Sequence, residues 1–450
     1  MGFALFLLFI ALTYLRPIEA YAPELVVYRP MLVLMLLTFV AAFWRAMKTR
    51  QVAASAQDLR VFFGFVACIA ISVAATGWFS GALYAVVDFA PTLLIFLTIV
   101  MTVTDIKRLR TTCALIIACM MVLSIFGALA YHTGYMADKL VMWQTVGDDE
   151  NMAETEADVI PADDTSGTRL WRVRSLGFLS DPNDFGQALV VAVPMLLMFY
   201  ERRRAFRNLF VVGIPGAIMM YGIYLTHSRG ALLGLGSLMF FTIKRVLGTT
   251  RTAVLLGAMV VGAMALNFTG GRAYTANEES AGGRVDAWSE GLNMFSYRPI
   301  FGVGYHNFTK HHSHTAHNSF VLCFAETGIV GYLFWLGLIV LAFKQTTRAM
   351  ELAPKTSDGY RWAAAMRTSL IGFLTCSFFL SRSYEPGLFI ALALAYAAWF
   401  SARESVAPDS VAKLMAPVKW RAAAFTLLVV SIFAIYVIVV VKNATIGRSI

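Results

Sequence analysis

The residues best suited to chemistry form a histidine-rich stretch, HNFTKHHSHTAHNSF, at positions 306–320. This stretch holds five of the seven histidines, and an apolar run follows it directly. His317 lies where the polar loop gives way to that run, so the helix that follows is expected to hold its ring in place. A neutral imidazole accepts a proton from a hydroxyl at physiological pH. We therefore predict that His317 is a catalytic base and that Asn318 orients either the ring or the substrate.

The other histidines of the stretch allow two further interpretations. Together with His317 they could ligate a metal, but their spacing matches no HExxH helix and no cysteine lies among them. His311, His312 and His314 fit a solvated loop that titrates near neutral pH. We expect no metal site, and the role of these three histidines stays open.

Two arginines lie next to apolar segments and could bind an anion. Arg229 sits in LTHSRGALLGLGS, in a very short turn between two apolar helices. A guanidinium there could grip a phosphate through paired donors, or it could simply extend towards lipid phosphates. Arg284 is expected to open an amphipathic helix, where cation and helix N-terminus together favour an anion. Alternatively, Arg284 pairs with Asp286 or Glu290.

A further pair of arginines, Arg172 and Arg174, lies in the segment RLWRVRSLGFLSDPNDFGQ at positions 169–187. They could contribute to the same anion site, or they could balance the acidic residues of 148–164. Of the two, Arg174 is taken into the predicted phosphate-binding set with Arg229 and Arg284.

The composition decides which kind of protein must position these residues. The chain is 58% hydrophobic and 14% charged, whereas a soluble domain is about a quarter charged. Its net charge of +10 does not indicate nucleic acid, because the basic clusters fall in alternate loops between apolar runs. The five cysteines form no CxxC pair and are interpreted as small buried hydrophobic residues.

The apolar runs have the length of membrane-spanning helices. We predict an all-α polytopic membrane protein with about 12–13 transmembrane helices. The predicted spans are 2–15, 30–44, 61–79, 82–103, 111–131, 185–200, 207–226, 229–243, 252–268, 317–343, 362–380, 386–401 and 422–441. The basic loops are predicted to face the cytoplasm.

Two long polar segments lie on the predicted extracytoplasmic side and divide the chain. The resulting regions are 1–131 (N-terminal helices), 132–184 (acidic loop), 185–268 (central helices), 269–316 (catalytic loop) and 317–450 (C-terminal helices). The acidic middle of the first loop, 145–168, is expected to be mobile. The second loop is expected to contain an amphipathic helix on the membrane surface, because Val285, Trp288, Leu292 and Phe295 recur at helical spacing.

Several segments together resemble the O-antigen ligase / O-antigen polymerase superfamily of bacterial envelope glycosyltransferases. They are SRGALLGL (228–235), GRVDAWSEGLNMFSYRPIFGVGYHNF (283–308) and AHNSFVLCFAETGIVGYLFWLGLIV (316–340), with a weaker match in LGFLSDPNDFGQAL (176–189). The order and spacing of these segments carry the resemblance, since no single motif is decisive.

The resemblance implies transfer of a glycan from undecaprenyl diphosphate to an acceptor hydroxyl, without cofactor or metal, at the periplasmic face of the bacterial inner membrane. His317 matches the histidine that activates the acceptor, and Arg229 and Arg284 match the arginines that bind the donor diphosphate. Asn183 and Tyr305 lie in matching segments and are expected to support the site. Expected partners are the lipid-linked glycan donor, an acceptor hydroxyl on lipid or glycan, and membrane lipids, but no nucleic acid.

Three classes of acceptor fit this family chemistry, so the sequence does not identify the acceptor. A lipid A core would make the protein a ligase of lipopolysaccharide, and a second lipid-linked glycan would make it a polymerase of surface polysaccharide or exopolysaccharide. A protein hydroxyl would make it a protein O-oligosaccharyltransferase. Outside the family, the alternative is a transporter of a lipid-linked or anionic solute. Transporters often place their charges at the bilayer midplane. Here Asp88 is the main charge deep in a predicted span and the others gather at one surface, which favours an enzyme with its site at the outer interface.

Overall fold

The computed structural model describes residues 2–146, 152–156, 158–248, 250 and 279–446. Most of these residues are helical, and one small sheet is present among them. Eight of the described helices are long and apolar enough to cross a membrane. The chain is therefore an all-α polytopic membrane protein, as its composition predicted.

The helices follow the apolar runs of the sequence. In chain order they are α1 (Gly2–Leu15), α2 (Pro17–Tyr21), α3 (Pro30–Thr49), α4 (Ala56–Ala74), α5 (Phe79–Thr102), α6 (Ile106–Thr133), α7 (Ala137–Leu140), α8 (Pro182–Leu197), α9 (Ala205–Asn208), α10 (Ile214–Thr226), α11 (Arg229–Leu247), α12 (Glu279–Tyr297), α13 (Ser319–Leu352), α14 (Asp358–Ser377), α15 (Pro386–Ser401), α16 (Pro408–Met415) and α17 (Arg421–Ile446).

Most predicted spans coincide with these helices. A π-helical turn at Leu209–Gly213 joins α9 to α10, so the two form one apolar segment. The predicted span 252–268 lies outside the described residues. The amphipathic helix predicted in the second long loop is present as α12, and its buried face contains Ala287, Trp288, Gly291 and Met294.

The described residues form two compact units. Unit 1 comprises those of 1–51, 101–279 and 364–376, and unit 2 comprises those of 52–100, 280–363 and 377–450. In unit 1, α6 packs against α1, α8 and α10, and α8 also contacts α10 and α11. Glycines permit close approach here: a Cβ on Gly222 would lie 2.5 Å from the Ser124 hydroxyl, and one on Gly186 would lie 3.0 Å from the Ala231 Cβ.

Unit 1 also contains a three-stranded antiparallel sheet that the sequence did not predict. Its strands are β1 (Val141–Thr145), β2 (Met152–Glu154) and β3 (Arg169–Val173), with β1 in the centre. Residues 145–168 were expected to be mobile, yet β2 lies within this range and is paired with β1. Trp143 of β1 lies opposite Trp171 of β3, and such aromatic cross-strand pairs stabilise a short sheet.

Unit 2 is built around α13, which packs against α4, α15 and α17. Buried phenylalanines fill the contacts between the other helices, with the rings of Phe62 and Phe96 stacked at 4.2 Å between centroids. Helix α13 is broken at Gly328, whose φ of 65° and ψ of −168° are not helical. Glycine tolerates this backbone conformation because it has no Cβ.

The segment 299–304 fills the break in α13. The amide of Val303 donates to the carbonyl of Ala325, and the amide of Ile329 donates to the carbonyl of Pro299. The backbone groups that lose their helical hydrogen bonds at the break thus bond to this segment instead. Irregular backbone inside a membrane protein requires such partners. The contact is close: a Cβ on Gly302 would lie 2.4 Å from the carbonyl oxygen of Glu326.

Candidate active site

His317 lies immediately before the N-terminus of α13, as predicted. Its φ of 46° places it in the left-handed region, which is uncommon for a residue with a Cβ and which clusters at functional sites. The ring is half-buried, whereas Ala316 and Asn318 on either side are fully buried. The backbone around His317 is therefore fixed while its imidazole keeps contact with solvent.

Asn318 caps α13. Its side-chain carbonyl oxygen accepts hydrogen bonds from the amides of Phe320 at 2.9 Å and Val321 at 3.2 Å. These bonds satisfy two donors that a helix N-terminus leaves unpaired. The side-chain NH₂ of Asn318 is buried and has no hydrogen-bond partner among the described residues.

Helix α12 attaches to the backbone next to His317. The indole N–H of Trp288 donates to the carbonyl of Ala316 at 2.9 Å. Arg284 lies four residues before Trp288, and residues at that spacing share a helix face. The sequence predicted that Arg284 opens this helix. The helix is described from Glu279, so Arg284 lies in its second turn instead. The hydrogen bond nevertheless joins the face that bears Arg284 to the turn that bears His317.

The segment that connects α14 to α15 holds the other side of this turn. The hydroxyl of Ser319 donates to the carbonyl of Leu380 at 2.5 Å and accepts from the amide of Arg382 at 2.8 Å. The hydroxyl of Ser383 donates to the carbonyl of Ser319 at 2.6 Å. These bonds place the backbone of Arg382 against the residue that follows Asn318. Arg382 was not among the predicted site residues.

Glu326 supports the loop from inside α13. It is 2% exposed, and its carboxylate accepts a hydrogen bond from the amide of Phe308 at 3.0 Å. The backbone carbonyl of the same residue accepts from the amide of Gly304 at 3.0 Å. Side chain and backbone of one residue thus hold both ends of the 304–308 segment, which leads into the histidine-rich stretch.

Tyr305 occupies the centre of that segment and is buried. Its hydroxyl donates to a carboxylate oxygen of Asp88 at 2.9 Å, and its amide donates to the hydroxyl of Ser72 at 3.1 Å. Burial, followed by the negative charge of Asp88, raises the pKa of Tyr305. The phenol stays protonated, so Tyr305 is a hydrogen-bond donor that ties the loop to α4 and α5 and is not a base.

Of the three histidines whose role stays open, His311 and His314 are exposed and His312 is half-buried. The amide of His314 donates to the Nδ1 atom of His312 at 3.2 Å, which is a local contact within the turn. Among the described residues, no group of three or more histidine, cysteine, aspartate or glutamate side chains is arranged to hold a metal ion.

Arg229 lies in unit 1 as the first residue of α11 and is half-buried. The turn before it contains His227, whose φ is 46°, and Ser228. The hydroxyl of Ser228 accepts from the amide of Ala231 at 3.3 Å and donates to the side-chain oxygen of Asn183 at 2.8 Å. Asn183, a predicted supporting residue, therefore fixes the turn that presents Arg229.

Arg172 completes this network and was left out of the predicted set. It is 2% exposed, and its guanidinium donates to the side-chain oxygen of Asn183 at 2.8 Å and to the carbonyl of Thr226 at 2.9 Å. Arg174, which was predicted, instead forms an ion pair with the exposed Glu154 at 3.1 Å. Arg172 lies within β3, whereas Arg174 follows the last residue of that strand, and the two side chains meet different neighbours.

The fold and these residues define a multi-pass helical membrane protein with titratable and cationic groups at helix starts. Residues 214–336 match the family described as O-Antigen ligase, from the start of α10 into α13. The match confirms the resemblance to the O-antigen ligase / O-antigen polymerase superfamily seen in the motifs. It includes Arg229, Arg284, Tyr305, His317 and Asn318, whereas Arg174 and Asn183 lie outside it. No curated protein matches the chain.

The family match supports glycosyl transfer of the O-antigen ligase type. It implies, in general, a lipid-linked glycan donor and a glycan acceptor.

Proposed function

We propose that the protein transfers a glycan from undecaprenyl diphosphate to an acceptor hydroxyl on a lipid or a glycan, at the periplasmic face of the inner membrane. The single observation that carries the proposal is the geometry around His317. Its backbone is strained and held by buried neighbours, its ring is half-exposed, and Trp288 joins its turn to the helix of Arg284.

In the proposed reaction His317 removes the proton from the acceptor hydroxyl. The oxygen then forms a bond to the anomeric carbon, and the bond from that carbon to the phosphate oxygen breaks. Undecaprenyl diphosphate leaves with the electron pair, and back-side attack inverts the anomeric configuration. The glycan–phosphate bond is already activated, so the step needs no nucleotide.

The leaving diphosphate is the group that Arg229 and Arg284 are proposed to bind. A guanidinium keeps its charge and offers paired donors to phosphate oxygens. Donors placed where charge develops lower the barrier directly, and the loss of one such donor typically costs roughly 10²–10³ in rate. Arg174 is proposed as an additional contact, since its ion pair with an exposed carboxylate is weak and exchangeable.

Unit 2 offers a route for the prenyl chain of the donor. A groove of about 580 Å³ lies between α12 and α17. Val429, Phe433 and Val440 line the side formed by α17, and Ser289 and Asn293 line the side formed by α12. An apolar wall beside the helix of Arg284 suits a lipid whose first isoprene units follow a charged diphosphate.

The test supplies purified protein with a lipid-linked glycan and, separately, a lipid A core, a second lipid-linked glycan or a protein acceptor. We expect one acceptor to gain the mass of the glycan while free undecaprenyl diphosphate appears in equal amount. Transfer to protein would instead make the chain a protein O-oligosaccharyltransferase. Substrate flux across liposomes without release of the lipid diphosphate would contradict the proposal and indicate a transporter.

The arginine roles have their own test in the same assay. Arg229→Lys and Arg284→Lys keep the charge but lose the paired donors, so each should lower transfer by roughly 10²-fold. Arg202→Lys, at an exposed position outside the matched residues, is the control and should leave the rate unchanged. Wild-type rates in both test variants would show that diphosphate binding is the wrong role.

A further inference from the structure

A second cavity, lined by three basic side chains and by apolar residues, lies in unit 2 and contains none of the residues of the proposed reaction. It has a volume of about 520 Å³ and is formed by the first turns of α4 and α17, the segment that precedes α17, and Phe334 of α13. Ligand pockets have volumes of roughly 300–1,000 Å³. The sequence predicts that α4 and α17 both begin at the cytoplasmic side of the membrane.

The walls of this cavity are fixed before any ligand arrives. The side-chain amide of Gln57 donates to the carbonyl of Val418 at 2.9 Å, and its oxygen accepts from the amide of Val418 at 3.1 Å. The buried ring of Trp420 packs so closely on Gly337 that a Cβ there would lie 2.7 Å from it. Such a preformed wall loses little entropy when it binds a ligand.

Two cations of α13 stabilise the same segment from outside the cavity. The side chain of Lys344 donates to the carbonyl of Lys419, and that of Arg348 donates to the carbonyl of Ala416. These contacts fix the backbone of Lys419 and leave its own side chain exposed.

The charge of the cavity is positive throughout. Arg60, Lys419 and Arg421 line it and are exposed, and neither aspartate nor glutamate is among its lining residues. Within the described part of the chain, none of the ion pairs found involves these three cations. Val61, Phe334 and Ala422 supply an apolar wall next to the charges.

We propose that this cavity binds the headgroup of an anionic phospholipid, with the phosphodiester at the three cations and the first methylenes of its chains along the apolar wall. Basic pockets between helices at the cytoplasmic surface recognise such headgroups, and tryptophan is enriched at that depth. A soluble phosphate would leave the apolar wall uncovered. The site is independent of the proposed glycan transfer.

The test measures binding of short-chain phosphatidylglycerol to the full chain in a neutral detergent. Phosphatidylcholine and inorganic phosphate are the comparison ligands. The variant Arg60→Gln/Lys419→Gln/Arg421→Gln should raise the Kd for phosphatidylglycerol on the order of a hundredfold. The control Lys107→Gln/Arg202→Gln/Lys355→Gln removes the same charge from exposed positions outside the cavity and should leave the Kd unchanged.

If the triple variant does not fold, Lys419→Gln alone should raise the Kd about fivefold. Equal loss in the control variant would overturn the site, because general charge attraction would explain the binding. Phosphatidylcholine binding as tightly as phosphatidylglycerol would overturn the anionic headgroup, and inorganic phosphate binding as tightly would overturn the lipid.

Discussion

Two helix starts, one in each unit, share an unusual local structure. In both, a histidine with a φ of 46° comes directly before the residue that caps the helix. The sequences are His227-Ser228-Arg229 in unit 1 and His317-Asn318-Ser319 in unit 2. His227 is buried and Arg229 is half-buried, whereas His317 is half-buried and Ser319 is buried. One turn therefore presents a guanidinium and the other presents an imidazole.

The two turns are also held by different means. In unit 1 a buried charged side chain, Arg172, reaches the turn through Asn183 and Thr226. In unit 2 the contacts come from neutral groups, among them Trp288 and the 380–383 segment. The contacts named here at the turn of His317 are thus made by neutral hydrogen-bonding groups, whereas those at the turn of Arg229 include a guanidinium.

The largest expected structural effect comes from breaking the charged network of unit 1. Arg172→Ala removes this donor to the carbonyl of Thr226 and leaves the Asn183 oxygen with the hydroxyl of Ser228, and it should lower the free energy of unfolding on the order of 3 kcal/mol. Arg174→Ala breaks an ion pair with an exposed glutamate and a long hydrogen bond to the carbonyl of Asp138, and it should cost about 0–1 kcal/mol. Thermal unfolding in detergent compares the two variants, and equal losses would contradict the distinction between them.

A second effect should come from the support beneath the turn of unit 2. Glu326→Ala leaves the buried amide of Phe308 unpaired and should cost about 1–3 kcal/mol. Glu326→Gln keeps an acceptor of the same shape and should be the milder change. Hydrogen exchange of the 304–308 amides provides the measurement, and equal protection in the alanine variant and the wild type would mean that Glu326 does not hold this loop.

The sequence predicted the elements more fully than the contacts between them. Apolar run length was enough for the helices, and the step from polar loop to apolar run was enough for the position of His317. The break at Gly328 could not be predicted, because it is stabilised by residues 299–304, whose backbone meets it only in the folded chain. Glu326, an acid inside an apolar run followed closely by glycine, was the one local signal of that break.

The choice between Arg172 and Arg174 required structure as well. Both lie in one short arginine-rich segment, and nothing in their spacing shows which of them is buried. The small sheet was missed because the acidic composition of 145–168 favours disorder, whereas pairing with β1 stabilises part of it as β2.

A smaller effect separates the two caps. Asn318→Ala and Ser228→Ala should each cost about 1 kcal/mol, the usual loss for a helix N-cap. Asn318→Asp keeps the acceptor oxygens and should restore stability. It removes the buried NH₂ group, however, so glycan transfer should stay low if that group orients the ligand. A wild-type rate of glycan transfer in the aspartate variant would show that Asn318 caps the helix and does not orient the ligand.

The smallest expected effect is a pH-dependent change at Asp164, whose carboxylate accepts a hydrogen bond from Trp171 of β3. Hydrogen bonds from Ser166, and then from the indole of Trp171, lower the pKa of Asp164. A carboxylate with a lowered pKa stabilises the fold above the ordinary aspartate value of about 3.9 and loses that contribution as the pH falls through its folded value. Fluorescence of Trp171 should change in that acid range, and Asp164→Asn should remove the change.

The central claim is that His317 alone among the loop histidines removes the acceptor proton. The direct measurement is the single-turnover rate of glycan transfer, with purified protein, lipid-linked donor and the acceptor that the wild type uses. His317→Ala should lower this rate roughly 10²–10⁴-fold, while His311→Ala and His314→Ala keep it and all three variants unfold at similar temperatures. A wild-type rate in a folded His317→Ala variant would contradict the account.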